Sequence, residues 1–531
     1  MYTTSTTSLI ASARNRTISD LVKLQALKHP NRTALVFNDN SDNYKQLNNC
    51  IDRAANALKA AGVRPGERVA CLSHNHRSFV IFRFAAIRAG AIFTPVNFML
   101  IASDVAYILE DSGATVIIAE DTLCPVASEA LTLMDKPPKV KAYIEASGCE
   151  VDDDWINSDE WINYPDDTPV VCDSVEDDPV QIMYTSGTES RPKGALLSTR
   201  ALIAQYVTCI VDGNMEQSDI ELHCLPLYHC AQLDCFLTVD LYLGAKSILM
   251  PGVDLGAMLE QIENEKVTKL FCPPTVWIAL LRHPDFDKHD LSSLNKGYYG
   301  ASIMPTAIIE ELSKRLPNMK LWNFYGQTEL APVATILQPE EQLTKLGSAG
   351  KPGLNVNTRI VDDEDNEVPH GTVGEIVHQS PQSTLGYLNN EEKTAESFRN
   401  GWFHSGDLAY MDYEGYIFIV DRKKDMIKSG GENVASREVE EIIFKHPKVA
   451  EVAVFGLPHD KWIEAVSAVV VVREGETVDL EEIDSYCREN LASYKRPQNI
   501  FFAESLPKNA SGKILKRELR KAYGDKTNLR C

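Results

Sequence analysis

Short apolar runs alternate with helical patterns through the first half of the chain, and this alternation constrains the fold more than any other feature. Residues 45–61 carry Leu47, Ile51, Ala54, Ala55, Leu58 and Ala61 at helical spacing. Arg68-Val69-Ala70-Cys71-Leu72 follows as a buried strand, then a second helical pattern at 79–89, then Ala91-Ile92-Phe93-Thr94-Pro95. The strand pattern returns at Thr115-Val116-Ile117-Ile118-Ala119 and again at 247–250, 269–272 and 320–324. Successive strands joined through helices cross over right-handed, so the expected fold class is α/β with doubly wound, mainly parallel sheets.

The texture changes twice further on. After about Gly347, short strands and turns dominate at 358–362, 374–377 and 415–420, which predicts a β-rich subdomain. From Asp425 a small α+β unit follows: a helix at 438–446 stopped by Pro447, strands at 451–455 and 467–472, and a helix at 480–491. Between them Asp421-Arg422-Lys423-Lys424-Asp425 is polar enough for a hinge. The expected division is an N-terminal extension (1–16), a large body (17–420), a hinge (421–424) and a small C-terminal domain (425–531).

Charge excludes one broad class of function. With 53 Lys and Arg against 75 Asp and Glu the net charge is −22, the opposite of a nucleic-acid or anionic-membrane binder. Residues 150–178 hold twelve acids and no Lys or Arg, and read as a solvated surface loop without the spacing of a Ca²⁺-binding EF-hand. The twelve cysteines are spread along the chain, which suits a reducing compartment. His223-Cys224, His229-Cys230 and Cys235 fit no usual zinc spacing. The apolar run 79–100 is interrupted by Arg83 and Arg88, so it reads as buried helix and strand rather than a membrane span. A cytoplasmic location is expected, with an organelle matrix as the alternative, because residues 1–19 are Ser/Thr-rich, carry Arg14 and Arg16 and hold no acid before Asp20.

The strongest local signal for chemistry is Tyr184-Thr185-Ser186-Gly187-Thr188-Glu189-Ser190-Arg191-Pro192-Lys193-Gly194, which follows a strand-like Val180-Gln181-Ile182-Met183. Backbone N–H groups beside glycine, hydroxyls and a cation are what a polyphosphate requires, although the Walker pattern is absent. Further motifs follow in order: Leu225-Pro226-Leu227-Tyr228-His229, Tyr299-Gly300-Ala301-Ser302, and Asn323-Phe324-Tyr325-Gly326-Gln327-Thr328-Glu329. Then come Gly401-Trp402-Phe403-His404-Ser405-Gly406-Asp407-Leu408, Ser429-Gly430-Gly431-Glu432-Asn433 and Leu506-Pro507-Lys508-Asn509-Ala510-Ser511-Gly512-Lys513.

In this combination and order the chain closely resembles the adenylate-forming (AMP-binding) superfamily of acyl-CoA synthetases, luciferases and peptide-synthetase adenylation domains, from about Thr17 to Tyr523. The resemblance implies a large N-terminal AMP-binding domain with a distorted-barrel subdomain, a mobile C-terminal lid, and a two-step reaction. A carboxylate first attacks the α-phosphate of ATP to give acyl-AMP and pyrophosphate; a thiol, usually that of CoA, then displaces AMP. The implied cofactors are ATP, Mg²⁺ and CoA, and the implied partners are these and a small carboxylic acid, with a homodimer left open.

By the same resemblance, Thr185, Ser186, Gly187, Thr188 and Lys193 hold the β- and γ-phosphates. Glu189 and Ser190 depart from the commoner Thr-Gly there, and an acid beside a polyphosphate needs a cation to screen it. Tyr325 and Gly326 meet the adenine, flanked by Gly300, Ala301 and Ser302. Thr328 contacts the α-phosphate, Glu329 ligates Mg²⁺, Asp407 accepts the ribose hydroxyls and Arg422 reaches ribose or phosphate. Lys513 is expected to hold carboxylate and α-phosphate together as charge develops. Ser429, Gly430 and Gly431 resemble the segment that swings in for thioester formation, and Lys424 occupies the hinge about which the lid rotates. His229, Cys230, Leu330, Ala331 and Val333 are expected at the acid pocket. Cys230 stands where amino-acid-activating relatives often carry Asp, which speaks against an amino-acid substrate, and the apolar Leu330, Ala331 and Val333 make a hydrophobic, fatty acid the expected substrate of an acyl-CoA synthetase. Transfer to a carrier-protein phosphopantetheine, an aryl acid as substrate, and a non-catalytic nucleotide-binding relative are the alternatives.

Overall fold

The computed structural model describes residues 10, 13–14, 16–172, 174–185, 191–302, 304–459, 461–508 and 514–524. The chain forms four sheets. A seven-stranded sheet runs Ile156–Asn157, Val140–Ile144, Ala114–Glu120, Arg68–Leu72, Ile92–Val96, Pro179–Thr185, Lys193–Ser198. Its pairings are parallel except the last, an antiparallel hairpin with Thr185 opposite Lys193. A nine-stranded sheet has a parallel centre of Lys320–Gly326, Lys296–Gly300, Lys269–Phe271, Ile220–His223, Lys246–Leu249 and Thr33–Phe37, with antiparallel strands at both edges.

The helix Tyr44–Ala60 shows how local sequence sets an element. Asn43 accepts the Gln46 amide and Gln46 returns a side-chain bond to the Asn43 amide, so two otherwise orphaned donors are satisfied at the start. Leu47, Ile51, Ala54, Ala55 and Leu58 then fall on one buried face. Helix Arg77–Arg88 is buried all round, and the two arginines that interrupt its apolar run are paired inside the core: Arg83 with Asp234 at 2.6 Å and Arg88 with Asp52 at 3.0 Å. The central core packs these helices against both sheets and includes the stacked ring pairs Phe236–Phe271 and Tyr298–Trp322.

The third sheet is antiparallel and comprises Asn357–Val361, Gly374–Gln379, Trp402–Met411, Phe398–Arg399 and Ile417–Arg422. Its last strand continues through Asp421 and Arg422, two residues into the segment read as hinge. The fourth sheet is built on the long hairpin of Val449–His459 with Ile463–Val472, joined by Asn499–Phe502 in parallel, by Ile427–Ser429 and by Glu432–Val434. Helices Ser436–Phe444 and Leu480–Asn490 pack on it through Val439, Ile443, Ile483 and Cys487.

The acidic stretch differs from the expected plain loop. It contains the edge strand Ile156–Asn157 and the helix Ser158–Ile162, and it buries Trp155 and Trp161. The carboxylates between these apolar anchors face solvent, and Arg53, Lys141 and Arg200 from other segments pair with Asp167, Asp154 and Asp177. Charge density alone hid the two tryptophans, whose burial organises the segment. The described cysteines are all free. Among the described residues no helix is long and apolar enough to cross a membrane.

Candidate active site

Several of the expected site residues lie at the ends of strands from three sheets. Strand Lys320–Gly326 delivers Tyr325, and strand Trp402–Met411 delivers Asp407 from the antiparallel sheet. The Tyr325 hydroxyl donates to Asp407 at 2.7 Å, the Gln327 amide donates to the same carboxylate oxygen at 3.1 Å, and Arg422 Nε lies 3.3 Å from the other oxygen. Burial and the neighbouring Asp407 carboxylate hold the Tyr325 phenol well above its ordinary pKa, so it stays a donor. The carboxylate has about four acceptor sites, and these partners use three of them. Arg422 meets Asp407 because the two residues are paired in register across adjacent strands.

Glycine is demanded at two positions by backbone packing. A Cβ on Gly300 would lie 2.5 Å from the Phe324 carbonyl oxygen, and one on Gly326 would lie 1.8 Å from that of Pro332. Ala301, next to Gly300, has a positive φ of 65° and is exposed together with Ser302.

Glu329 and Thr328 sit on a short 3₁₀ turn, Thr328–Leu330. The Tyr387 hydroxyl donates to Glu329 at 2.7 Å, and Lys193 Nζ lies 5.6 Å from the centre of the Tyr387 ring. The link between these elements is backbone. The Leu388 amide bonds Gly194, the Leu196 amide bonds Gly386, and the Thr384 amide bonds the Glu329 carbonyl at 2.7 Å. The hairpin expected to hold phosphate is therefore continuous with the segment that holds Glu329. Its base is further fixed by Tyr184 to Asp111 at 2.7 Å and by Arg191 over the Tyr107 ring. Ser186, Gly187, Thr188, Glu189 and Ser190 lie outside the described residues, while Thr185 and Lys193 face each other at the start of that turn.

On the acid side, Asn75 grips both ends of Leu225-Pro226-Leu227, bonding the Leu225 carbonyl and the Leu227 amide at 2.8 Å each. Half-buried His229 accepts the Ala231 amide on Nδ1, which leaves Nε2 as the ring's donor. Cys230 Sγ is 3.4 Å from the Thr328 hydroxyl, and burial pushes this thiol up to about 12, so it is a neutral wall rather than a nucleophile. Ala331 and Val333 share an apolar cluster with Cys230. Leu330 instead packs with Ala334 and Phe403, toward the antiparallel sheet. Gln382, fully buried, bonds the Leu330 and Val333 carbonyls at 3.2 and 2.7 Å. Asn75, Gln327, Gln382 and Tyr387 were missed in the sequence because their partners are far along the chain; only Gln327, inside a motif, carried a local signal.

Buried behind this region, Glu221, His223 and Asp240 are near enough to share a metal ion. Lys269 supplies the cation there instead, bonding Asp240 and lying 2.9 Å from Glu221.

The residues expected on the lid stand apart. Ser429 pairs with Glu432 in a tight hairpin whose Gly430 and Gly431 have φ of 63° and 89°, and the Gly430 amide bonds the Trp462 carbonyl. Among the described residues no hydrogen bond joins this turn to Thr328, Glu329 or Asp407. Lys513 lies outside the described residues; Lys508 and Ile514, on either side of it, form an isolated antiparallel bridge. In the segment read as a hinge, Lys423 bonds Asp363, just past the strand Asn357–Val361, and Glu375 of the antiparallel sheet, whereas Asp425 meets Arg520 of the C-terminal helix at 2.8 Å. Lys424 stands exposed between these two anchors.

The chain is similar to known proteins along most of its length. Residues 22–388 match the family described as AMP-binding enzyme, and residues 438–513 match the AMP-binding enzyme C-terminal domain. A feruloyl-CoA synthase of Amycolatopsis sp is 37% identical over 96% of this chain and 100% of the relative. A long-chain-fatty-acid–CoA ligase of Mycobacterium tuberculosis is 34% identical over 90% of this chain and 93% of that one. The crystal structure of an anthranilate CoA ligase in complex with anthranoyl-AMP superposes with a TM-score of 0.88 at 28% identity, covering 96% of this chain and 97% of that one.

Proposed function

The chain belongs to the AMP-binding enzyme family, and from that premise we propose that it is an ATP-dependent carboxylate–CoA ligase whose acid is apolar, with an aromatic acid the first choice. The observation that carries this reading is the Asp407 carboxylate held by Tyr325, Gln327 and Arg422, together with the Glu329–Tyr387–Lys193 group, in a chain that aligns along its length with CoA ligases.

The chemistry needs both halves of the site. An unactivated carboxylate resists thiol attack because its oxygens are poor leaving groups. In the first step a carboxylate oxygen bonds to the α-phosphorus of ATP and pyrophosphate leaves. In the second the CoA sulfur bonds to the acyl carbon, its proton is lost and AMP leaves. Asp407 would take the ribose hydroxyls on its remaining acceptor capacity, and Tyr325 with the Gly300-Ala301-Ser302 turn would border the adenine. Thr185, Ser186, Gly187, Thr188 and Lys193 would cradle the outer phosphates, Thr328 the α-phosphate, and Lys513 the developing charge between acid and phosphate. Mg²⁺ fits Glu329, a hard oxygen donor with one oxygen oriented by Tyr387, and when bound it supplies neutralisation of phosphate charge.

For the acid, the neutral Cys230, in the same apolar cluster as Ala331 and Val333, offers no counter-charge for an ammonium group. The aromatic acids in the names of the feruloyl and anthranilate relatives favour an aryl acid here; the mycobacterial relative supports a fatty acid as the second reading. For the lid, Lys424 is the swivel point between the Lys423 and Asp425 anchors, and its rotation would exchange Lys513 for the Ser429-Gly430-Gly431 turn at the reacting centre.

The deciding experiment incubates purified protein with ATP, Mg²⁺ and a panel of aryl and fatty acids, reading pyrophosphate with and without CoA. Pyrophosphate release with an aryl acid and AMP release dependent on CoA is the expected result. Turnover only with fatty acids replaces the substrate reading, and no release with any acid overturns the ligase reading.

A further inference from the structure

The helix behind His229 and Cys230 is wound as a π-helix over Ala231–Leu237, a geometry that recurs at functional sites. Its polar side chains point into the core and are tied to other elements. Gln232 bonds His223 Nδ1 at 2.7 Å, and the Gln205 amide lies 3.4 Å from Cys235 Sγ. The densest tie is at Asp234, which is fully buried. One of its oxygens takes Arg83 Nη2 at 2.6 Å and the Tyr206 hydroxyl at 3.1 Å; the other takes the Gln181 amide at 2.8 Å. Arg83 in turn donates to the Gln181 side-chain oxygen Oε1 at 3.0 Å and to the Thr238 hydroxyl at 2.7 Å.

The partners of Asp234 have a pattern. Gln181 lies on the strand Pro179–Thr185 that enters the phosphate hairpin, four residues before Thr185. Tyr206 lies on the helix Thr199–Asp212 that leaves the hairpin's second strand. Asp234 itself lies four residues beyond Cys230. One carboxylate thus bonds the elements before and after the phosphate hairpin from the helix that carries the acid side. Apolar residues of similar volume would fill this space with no loss of stability in many proteins, because desolvation offsets most of a buried pair's attraction. What the pair adds over such residues is direction, since its hydrogen bonds fix distances between elements.

We propose that Asp234, held by Arg83, is a positioning residue that sets the separation between the acid pocket and the phosphate hairpin, and so the approach of the carboxylate to the α-phosphorus. This rests on the ligase reading above. The first half-reaction is the sensitive one, because two separately bound groups must meet; displacement by about 1 Å costs on the order of 10²-fold. In the second half-reaction acyl and phosphate are already bonded to each other, so their relative position no longer depends on the pair.

The test uses the full-length enzyme, Asp234→Asn, and the apolar double variant Arg83→Met with Asp234→Leu. Three quantities are read: pyrophosphate release at saturating acid and ATP, CoA attack on supplied acyl-AMP, and Tm. Adenylation is expected to fall about 30- to 100-fold in both variants while attack on supplied acyl-AMP stays within about threefold. In the double variant Tm returns to near wild type while adenylation stays low, which a purely structural role does not give. Recovery of wild-type adenylation in the double variant, or an equal loss in both half-reactions, overturns the proposal for Asp234 and leaves the ligase reading intact. A wild type that releases no pyrophosphate overturns both.

Discussion

The Tyr325 hydroxyl donates a 2.7 Å hydrogen bond to the Asp407 carboxylate, joining a strand of the nine-stranded sheet to one of the antiparallel sheet across 82 residues of chain. Tyr325→Phe keeps the ring and removes only this bond. Losing a hydrogen bond to a charged group costs about 1.5–3 kcal/mol at most, so KM for ATP should rise about tenfold with kcat little changed. Initial rates against ATP concentration test this, and an unchanged KM counts against an organising role for the hydroxyl.

Glu329 is expected to respond to Mg²⁺. Glu329→Gln should raise the Mg²⁺ concentration for half-maximal adenylation by about tenfold, and Tyr387→Phe should raise it by less, because it removes the orienting bond and leaves the carboxylate charge. A Mg²⁺ titration of both variants reads the order directly. The reverse order would show that the phenol rather than the carboxylate matters.

Lys513→Ala should lower acyl-AMP formation by about 10²–10³-fold and spare CoA attack on supplied acyl-AMP. Lys424→Pro should do the opposite, since a proline fixes φ and restricts Lys423 before it. Thioester formation should fall about tenfold or more while adenylation stays within about threefold, as expected for a gating step. Measuring the two half-reactions separately for each variant checks both; parallel losses would deny the division of labour.

His74 gives a pH dependence. Its ring bonds Glu120 at 3.0 Å, lies against Phe98, and is raised above its usual pKa by that bond. Against the upward push of burial, bonds from His74 and Thr122 hold Glu120 down at about 2. A raised histidine contributes stability fully below about 6.5 and loses it as pH rises through its folded pKa. A depressed carboxylate contributes above about 4.3 and loses it as pH falls toward its folded value. The Tm difference between wild type and His74→Ala should therefore be greatest near pH 5–6 and shrink above neutrality. Thermal melts from pH 5 to 9 test this, and a difference that grows with pH refutes it.

Much of the framework was legible along the chain. Helix Tyr44–Ala60 announces itself by the Asn43 cap and its apolar spacing, and the strands at 246–249, 269–271 and 320–326 fall within a few residues of the runs that predict them. Harder to see was strand Thr33–Phe37, which crosses to pair Leu35 with Ser247, more than 200 residues away. The hairpin Val449–His459 with Ile463–Val472 is also longer than its apolar pattern, because backbone pairing continues past the buried side chains.

Local periodicity determined the fold class and the order of the elements, because each element depends on neighbours a few positions away, and the ordered motifs carried the family resemblance that marks Thr185, Tyr325, Glu329, Asp407 and Arg422 as candidates. Tertiary structure alone decided which side chains hold them. In the sequence Arg83 is an interruption in an apolar run. In the structure it is fully buried and faces Asp234, 151 residues on, with Gln181, Tyr206 and Thr238 around them. A charge can occupy that place only if its partners arrive from other elements to offset desolvation, and no local pattern encodes their arrival.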